Sequence, residues 1–300
     1  MRQIFAGSDL GEADLAALYA YPAGAWLRAN MVSSADGAAS LDGVTRGLSS
    51  RTDRHLFALL RTLADVIVVG AATVRAEKYG PVRQHELWPD LRPGRTPTPP
   101  IAVVSKRLHL DPASRLIASA PPSARTIVIT TAQAPPDRRA ALDGPAEVIV
   151  AGQESVDLKV AIAALAERGH RRMLAEGGPH LLGQLVAAGL VDELCLTISP
   201  LLAGPAAGRI VAGAPLSATG SASSPLPLAL AHVLEDHGYL FCRYLSKNPL
   251  FRTGRGARAD HCGPLLVPWH GFWPTLMVWR VRGAGAGRAR IRWPRRRRGR

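Results

Sequence analysis

An α/β fold on a mostly parallel sheet flanked by helices is what this sequence predicts, and three observations predict it. Short β-branched runs bounded by turn formers alternate with helical patterns through most of the chain. Those runs are apolar throughout, as strands covered on both faces must be. Near the end the pattern changes: "AHVLEDHGYLFCRYL" (231–245) is two strand-like runs around Glu235 to Gly238, which predicts an antiparallel hairpin at one sheet edge.

Taken in order, Ser49 or Ser50 can cap a helix reaching about Leu63, because Leu56, Leu59, Leu60 and Leu63 recur at the three-and-four spacing of a buried face. Strands follow at "DVIVVG" (65–70), "IAVVS" (101–105), "TIVIT" (126–130) and "EVIVA" (147–151). "ELWPDLRPGRTPTPP" (86–100) holds too much proline for regular structure and reads as a surface loop. A helix over about 156–168 has Ser155 as its candidate cap and Gly169 as its stop. "HRRMLAE" (170–176) ends as a strand, "PHLLGQLVAAG" (179–189) is a helix with Pro179 in its first turn, and "VDELCLTIS" (191–199) returns to strand.

The net charge of +14 is unevenly placed. Residues 248–300 hold 13 Arg, no Lys and one acid, Asp260, whereas residues 1–247 hold 24 basic and 22 acidic groups. Two segments follow: a nearly neutral body, 1–247, and an Arg-, Trp-, Gly- and Pro-rich tail, 248–300, with no evident helix or strand period. The tail reads either as a disordered nucleic-acid-binding arm, since clustered Arg neutralises phosphates, or as a frame-shifted extension of a GC-rich gene. The N-terminus lacks a basic segment followed by an apolar run, and no stretch of about 20 apolar residues occurs, so a cytoplasmic protein is expected. Cys195, Cys242 and Cys262 are widely spaced and read as free thiols, with no metal site.

Three strand-end segments can carry chemistry. In "AEGGPHLLGQL" (175–185), Glu176 and two glycines lie on a strand-to-helix turn, where ligands bind in open parallel sheets and helix-start amides favour phosphate. An ordinary helix-start turn accounts for the same residues, because the spacing is not that of a dinucleotide fingerprint. "NMVSSADG" (30–37) is a strand ending in an Asp-Gly turn. "GAATVRAEKYGPVR" (70–83) exposes Thr73 at a helix start and offers Arg75, Lys78 and Arg83 as anion contacts or as plain surface charge.

In this order, "NMVSSADG", "LR" at 60–61, "ADVIVVGAATVRAE" with "YGPVR", "VVS" at 103–105, and "LAEGGPHLLGQL" before "VDELCLTISPLLAG" resemble the reductase domain of riboflavin biosynthesis. The likeness spans about residues 24–245. It implies a dihydrofolate-reductase-like fold, a homodimer, and NADPH-dependent hydride transfer to C1 of the ribose of a phosphoribosylaminopyrimidine. By motif, it places Ser33, Thr73, Glu77, Ser105 and the stretch Gly178, Pro179, His180, Leu181, Leu182, Gly183 and Gln184 on NADPH. It places Thr45, Arg61, Arg83 and Glu176 on the substrate, with Glu176 as the candidate catalytic carboxylate. Arg61 and Arg83 suit bidentate phosphate contacts, and Ser105 with Lys106 and Arg107 suits a 2′-phosphate. Glu176 can accept hydrogen bonds from a heterocycle's N–H groups.

The chain departs from the family at Asn30, where a lysine is usual, at Glu77, where aspartate is usual, and at Gly47, near the place of a tryptophan. A dihydrofolate-like pterin is therefore the second substrate reading. The zinc signature of the deaminase half is not in the sequence, so deamination is not expected of this chain. Nucleic-acid binding through the basic tail is the alternative of another class.

Overall fold

The computed structural model describes residues 9–205, 207–213, 227–247 and 277–281. The elements run β1 (Asp9–Leu10), α1 (Glu12–Leu18), β2 (Trp26–Ser34), α2 (Arg51–Leu63), β3 (Val66–Gly70), α3 (Ala71–Ala76), β4 (Ile101–Val104) and α4 (Arg115–Ala118). They continue β5 (Ile127–Thr130), α5 (Pro136–Leu142), β6 (Glu147–Val150), α6 (Leu158–Glu167), β7 (Arg172–Ala175), α7 (Pro179–Ala187), β8 (Glu193–Ser199), β9 (Leu228–Asp236), β10 (Tyr239–Ser246) and β11 (Met277–Val281).

One sheet contains them all, in the order β1-β11-β9-β10-β8-β2-β7-β3-β4-β5-β6. From β8 to β6 every neighbouring pair is parallel, and β10 runs against both β8 and β9. The mostly parallel α/β fold and its antiparallel C-terminal hairpin are as the sequence predicts, but the hairpin's place is corrected. β11 pairs with β9 and β1 with β11, so both lie outside the hairpin. Those five residues also correct the expectation that the tail has no strand; the rest of 248–300, including Cys262, lies outside the described residues.

Apolar strands need cover on both faces, and two core clusters provide it. Leu59, Leu60, Ile67 and Val69 pack in one cluster; Val66, Val68, Leu165, Leu181 and Leu185 pack in the other. Of the two helix caps expected, one is found and one is corrected, and α1, α4 and α5 are helices that the sequence reading did not give. Ser50 caps α2 by accepting from the Asp53 amide at 3.0 Å. At α6 the cap is Asp157 rather than Ser155: its Oδ1 accepts from the amides of Lys159 and Val160, and a carboxylate is the stronger acceptor at a helix start. Cys195 and Cys242 are buried free thiols.

A buried charge network holds one side of the sheet together. Glu193 on β8 receives Arg28 Nε from β2 and Arg243 Nε from β10, each at 2.7 Å, and Trp26 Nε1 at 2.9 Å. Burial pushes the Glu193 carboxyl up, but Arg28 and Arg243 beside it pull it down to about 2. The same two guanidiniums donate to the carbonyls of Tyr19 and Leu18, which α1 leaves without helical partners. Among the described residues no helix is long and apolar enough to cross a membrane.

Candidate active site

The strand order decides where the site forms. β7 enters between β2 and β3, so the carboxyl ends of β2, β7 and β3 lie side by side although they come from residues near 34, 175 and 70. Such a switch of strand order is where open parallel sheets bind ligands. A cavity of about 460 Å³ opens there. Asn30, Met31 and Val32 line it from β2, Glu176 and Gly178 from the β7–α7 turn, and Thr73 from α3.

Glycine is required at two points of this wall. A Cβ on Gly178 would fall 2.4 Å from Thr73 Oγ1, so only glycine lets the two strand-end turns touch. Gly177 has φ of +82°, a conformation that favours glycine, its peptide to Gly178 is cis, and its carbonyl accepts from the Gly70 amide at 2.8 Å. α7 begins at once after Gly178 without a side-chain cap, so its first amides keep their capacity for an acceptor from outside.

Glu176 and Arg61 are not independent groups, as the sequence reading had them. Arg61 donates from Nε to Oε1 and from Nη2 to Oε2, both at 2.7 Å, and the Tyr79 hydroxyl donates to Oε2 at 2.8 Å. The guanidinium lies 4.2 Å above the Phe57 ring. Burial opposes the charge on Arg61, yet the Glu176 carboxylate beside it raises its pKa above the ordinary value. Tyr79 is raised well above the usual phenol range, by burial first and then by Glu176, so it stays a donor.

Thr45 and Glu77, expected on substrate and cofactor respectively, are also partners. The Thr45 amide and hydroxyl donate to Glu77 Oε1 at 2.9 and 3.0 Å, on the rim between this cavity and a second. Arg83 faces the second cavity only. Ser33 is buried and lines neither; Ser105 is buried as well, while Lys106 and Arg107 after it line a third cavity with His109 and Arg138. The positive surroundings, Arg138 foremost, hold His109 below its ordinary pKa.

The expected cofactor stretch divides by helical period. Gly178, Pro179 and His180 line the main cavity, whereas the Leu181 and Leu182 side chains are in the core, Gly183 packs on the Ala212 carbonyl, and Gln184 is exposed. A contiguous run on a helix cannot present every side chain to one ligand.

Sequence reasoning missed Phe57, Tyr79, Asp36 and Asp53. Asp36 in "SADG" holds a distant loop, accepting from Ser34 Oγ and from the Ala203 and Gly204 amides, and these bonds, Ser34 first, lower its carboxyl to about 2. Asp53 lines the main cavity, bonds Ser49 Oγ at 2.6 Å, and is raised by burial against its bonds to Ser49 and Thr197. Its signal was readable, because Asp53 follows the Ser50 cap by three residues. Among the described residues no group of three or more His, Cys, Asp or Glu could hold a metal ion.

Comparison with known proteins agrees with this architecture. The family model of the RibD C-terminal domain matches residues 25–237. A 2,5-diamino-6-ribosylamino-4(3H)-pyrimidinone 5′-phosphate reductase of Archaeoglobus fulgidus is 31% identical over 180 residues, covering 56% of this chain and 79% of that protein. The protein of the same name from Methanothermobacter thermautotrophicus is 33% identical over 157 residues, covering 52% of this chain and 69% of that protein. Among solved structures, a pyrimidine reductase-like protein of Corynebacterium diphtheriae superposes with a TM-score of 0.65 at 32% identity, covering 75% of this chain and 92% of that one. Matched over most of its described sheet, the chain belongs to the RibD C-terminal domain family.

Proposed function

We propose that this chain is an NADPH-dependent reductase of a phosphorylated ribosylaminopyrimidine, reducing C1 of the ribose. One observation carries the reading: Glu176, held by Arg61 and Tyr79, stands next to the glycine turn on the same cavity wall, in a chain 31% identical to a named reductase of such a substrate.

The residues present fit a nicotinamide dinucleotide. The uncapped start of α7, bordering the cavity, offers amides to a phosphate. When bound, NADPH supplies the hydride, so the work left to the chain is binding, orientation and charge. Thr73 and His180 border the turn, and Lys106 with Arg107 gives the positive charge that a 2′-phosphate selects. Glu176 lines the cavity with its charge balanced by Arg61, so that a heterocycle's N–H groups would meet a carboxylate that is not an isolated buried charge. The homodimer and the cytoplasmic setting belong to the same proposal, and light scattering on the purified protein checks the first.

The test is NADPH oxidation by the purified protein with 2,5-diamino-6-ribosylamino-4(3H)-pyrimidinone 5′-phosphate and, separately, with dihydrofolate. Oxidation is expected with the ribosylaminopyrimidinone phosphate alone. Oxidation with dihydrofolate and none with the other would transfer the assignment to a pterin.

A further inference from the structure

The helix that carries Arg61 ends against the proline-rich segment 84–98, which clamps it. Two short 3₁₀ turns, Gln84–Glu86 and Pro89–Leu91, shape that segment. The Trp88 ring lies 4.8 Å from the His55 ring of α2, and the Trp88 amide donates to Thr62 Oγ1 at 3.2 Å. A helix leaves its last carbonyls without internal donors, and here two arginines supply them. Arg92 Nη1 donates to the Thr62 and Ala64 carbonyls, both at 2.7 Å, and its Nε donates to the Thr96 carbonyl at 2.9 Å. Arg95 Nη1 donates to the Leu63 carbonyl at 2.9 Å.

Arg92 is 5% exposed and, among the described residues, forms no ion pair. Burial first, then Arg95, lowers its pKa to about 10, so it stays charged at neutral pH. A guanidinium taken out of water without a carboxylate is costly, and the negative pole of α2 with its open carbonyls is what offsets that cost. Those carbonyls belong to the turn that holds Arg61, so freeing them lets that turn fray.

The clamp reaches the other partner too. Asp65, which Arg95 approaches at 3.7 Å, accepts from the Arg171 and Arg172 amides at 3.2 and 2.9 Å. Arg172 opens β7, the strand that leads into Glu176. Both elements that present the Arg61–Glu176 pair are thus fixed from one place, although neither Arg92 nor Arg95 lines any of the three cavities.

We propose that Arg92 is a positioning residue for the reduction: by holding the end of α2 it sets the Arg61 guanidinium edge to edge with Glu176. Its effect on turnover rests on the reductase reading above; its effect on the geometry of the pair does not.

The experiment has two arms. In protein labelled with ¹⁵N at arginine, solvent exchange of the Arg61 Nε–H, bonded to Glu176, is compared with that of the Arg28 Nε–H, bonded to Glu193. Arg92→Ala is expected to speed exchange at Arg61 roughly 10-fold and leave Arg28 within about twofold. Arg92→Lys, which keeps the charge and loses the planar fork, gives a smaller rise at Arg61 alone and decides the matter if Arg92→Ala does not fold. No change at Arg61, or equal acceleration at both arginines, overturns the proposal. In the second arm, the same variants lower kcat for the ribosylaminopyrimidinone phosphate, by roughly 10-fold for Arg92→Ala, with KM for NADPH within about twofold. Added to Arg61→Ala they cause no further loss, because the group being positioned is gone. A loss of the same size in both backgrounds refutes the role. Absence of turnover in wild type would remove the reductase reading, and the exchange arm would still judge the clamp.

Discussion

Arg61 and Glu176 meet edge to edge through two 2.7 Å hydrogen bonds, although 115 residues separate them in the chain. The pair joins the end of α2 to the end of β7 and places a charge-balanced carboxylate on the cavity wall. Its side chains are 14% and 2% exposed, so removing either partner's charge leaves the other poorly solvated.

Glu176→Gln keeps the shape and removes the charge. Turnover is expected to fall roughly 100-fold while NADPH affinity stays within about twofold, and stability drops by about 3 kcal/mol because the Arg61 charge is left uncompensated. Steady-state kinetics, fluorescence titration with NADPH and urea unfolding read the three quantities. Intact turnover would reduce this segment to a structural turn.

Gly178→Ala drives a methyl group into Thr73 Oγ1 at 2.4 Å. The single variant should lose about 1–3 kcal/mol and bind cofactor more weakly, and adding Thr73→Ala should restore part of the lost stability. Stability losses that simply add in the double variant would show that the two turns do not depend on this contact.

His232, 3% exposed and edge-on to Tyr19, is kept neutral: burial first, then Arg243 and Arg28, lower it to about 4, against the opposing pull of Glu193. The unfolded chain takes up its proton near pH 6.5 and the folded one does not until about pH 4. The stability it allows is thus complete above the unfolded pKa and falls by about 3 kcal/mol as pH drops through that window. Thermal unfolding between about pH 7 and about pH 4 should show a shallower fall for His232→Gln than for wild type; identical slopes would show that His232 does not contribute to the acid loss.

Lys106→Ala with Arg107→Ala empties the third cavity of two of its cations. KM for NADPH is expected to rise on the order of 10- to 100-fold with KM for NADH unchanged. An equal rise for both cofactors would place the 2′-phosphate elsewhere.

Much of the fold was legible because its signals are local. Apolar runs such as "DVIVVG" can only be buried strands, the Leu56, Leu59 and Leu60 stripe closes a helix face, and Ser50 caps where a cap residue precedes that stripe. The Asp157 cap escaped because two residues two positions apart are both good caps, and only the backbone path selects between them. The outer strands also escaped, since β11 is set by long-range pairing with β9 rather than by periodicity of its own stretch.

The ordered motifs located the strand ends of the site, and the glycines of "AEGG" marked where backbone comes close to backbone. Pairing lay beyond their reach. Which cation faces Glu176 follows from β7 entering between β2 and β3, and that Thr45 answers Glu77 and that Tyr79 and Phe57 flank the Arg61–Glu176 pair are likewise set by segments far apart in the chain. By itself, then, the sequence determined the inner strands and the hairpin, the starts of α2 and α7, and the segments that gather at one sheet edge, because burial and capping act between near neighbours. The partner of each charged side chain was decided by tertiary structure alone, because a hydrogen bond needs a donor and an acceptor within about 3 Å and only the crossover of the sheet brings these distant segments that close.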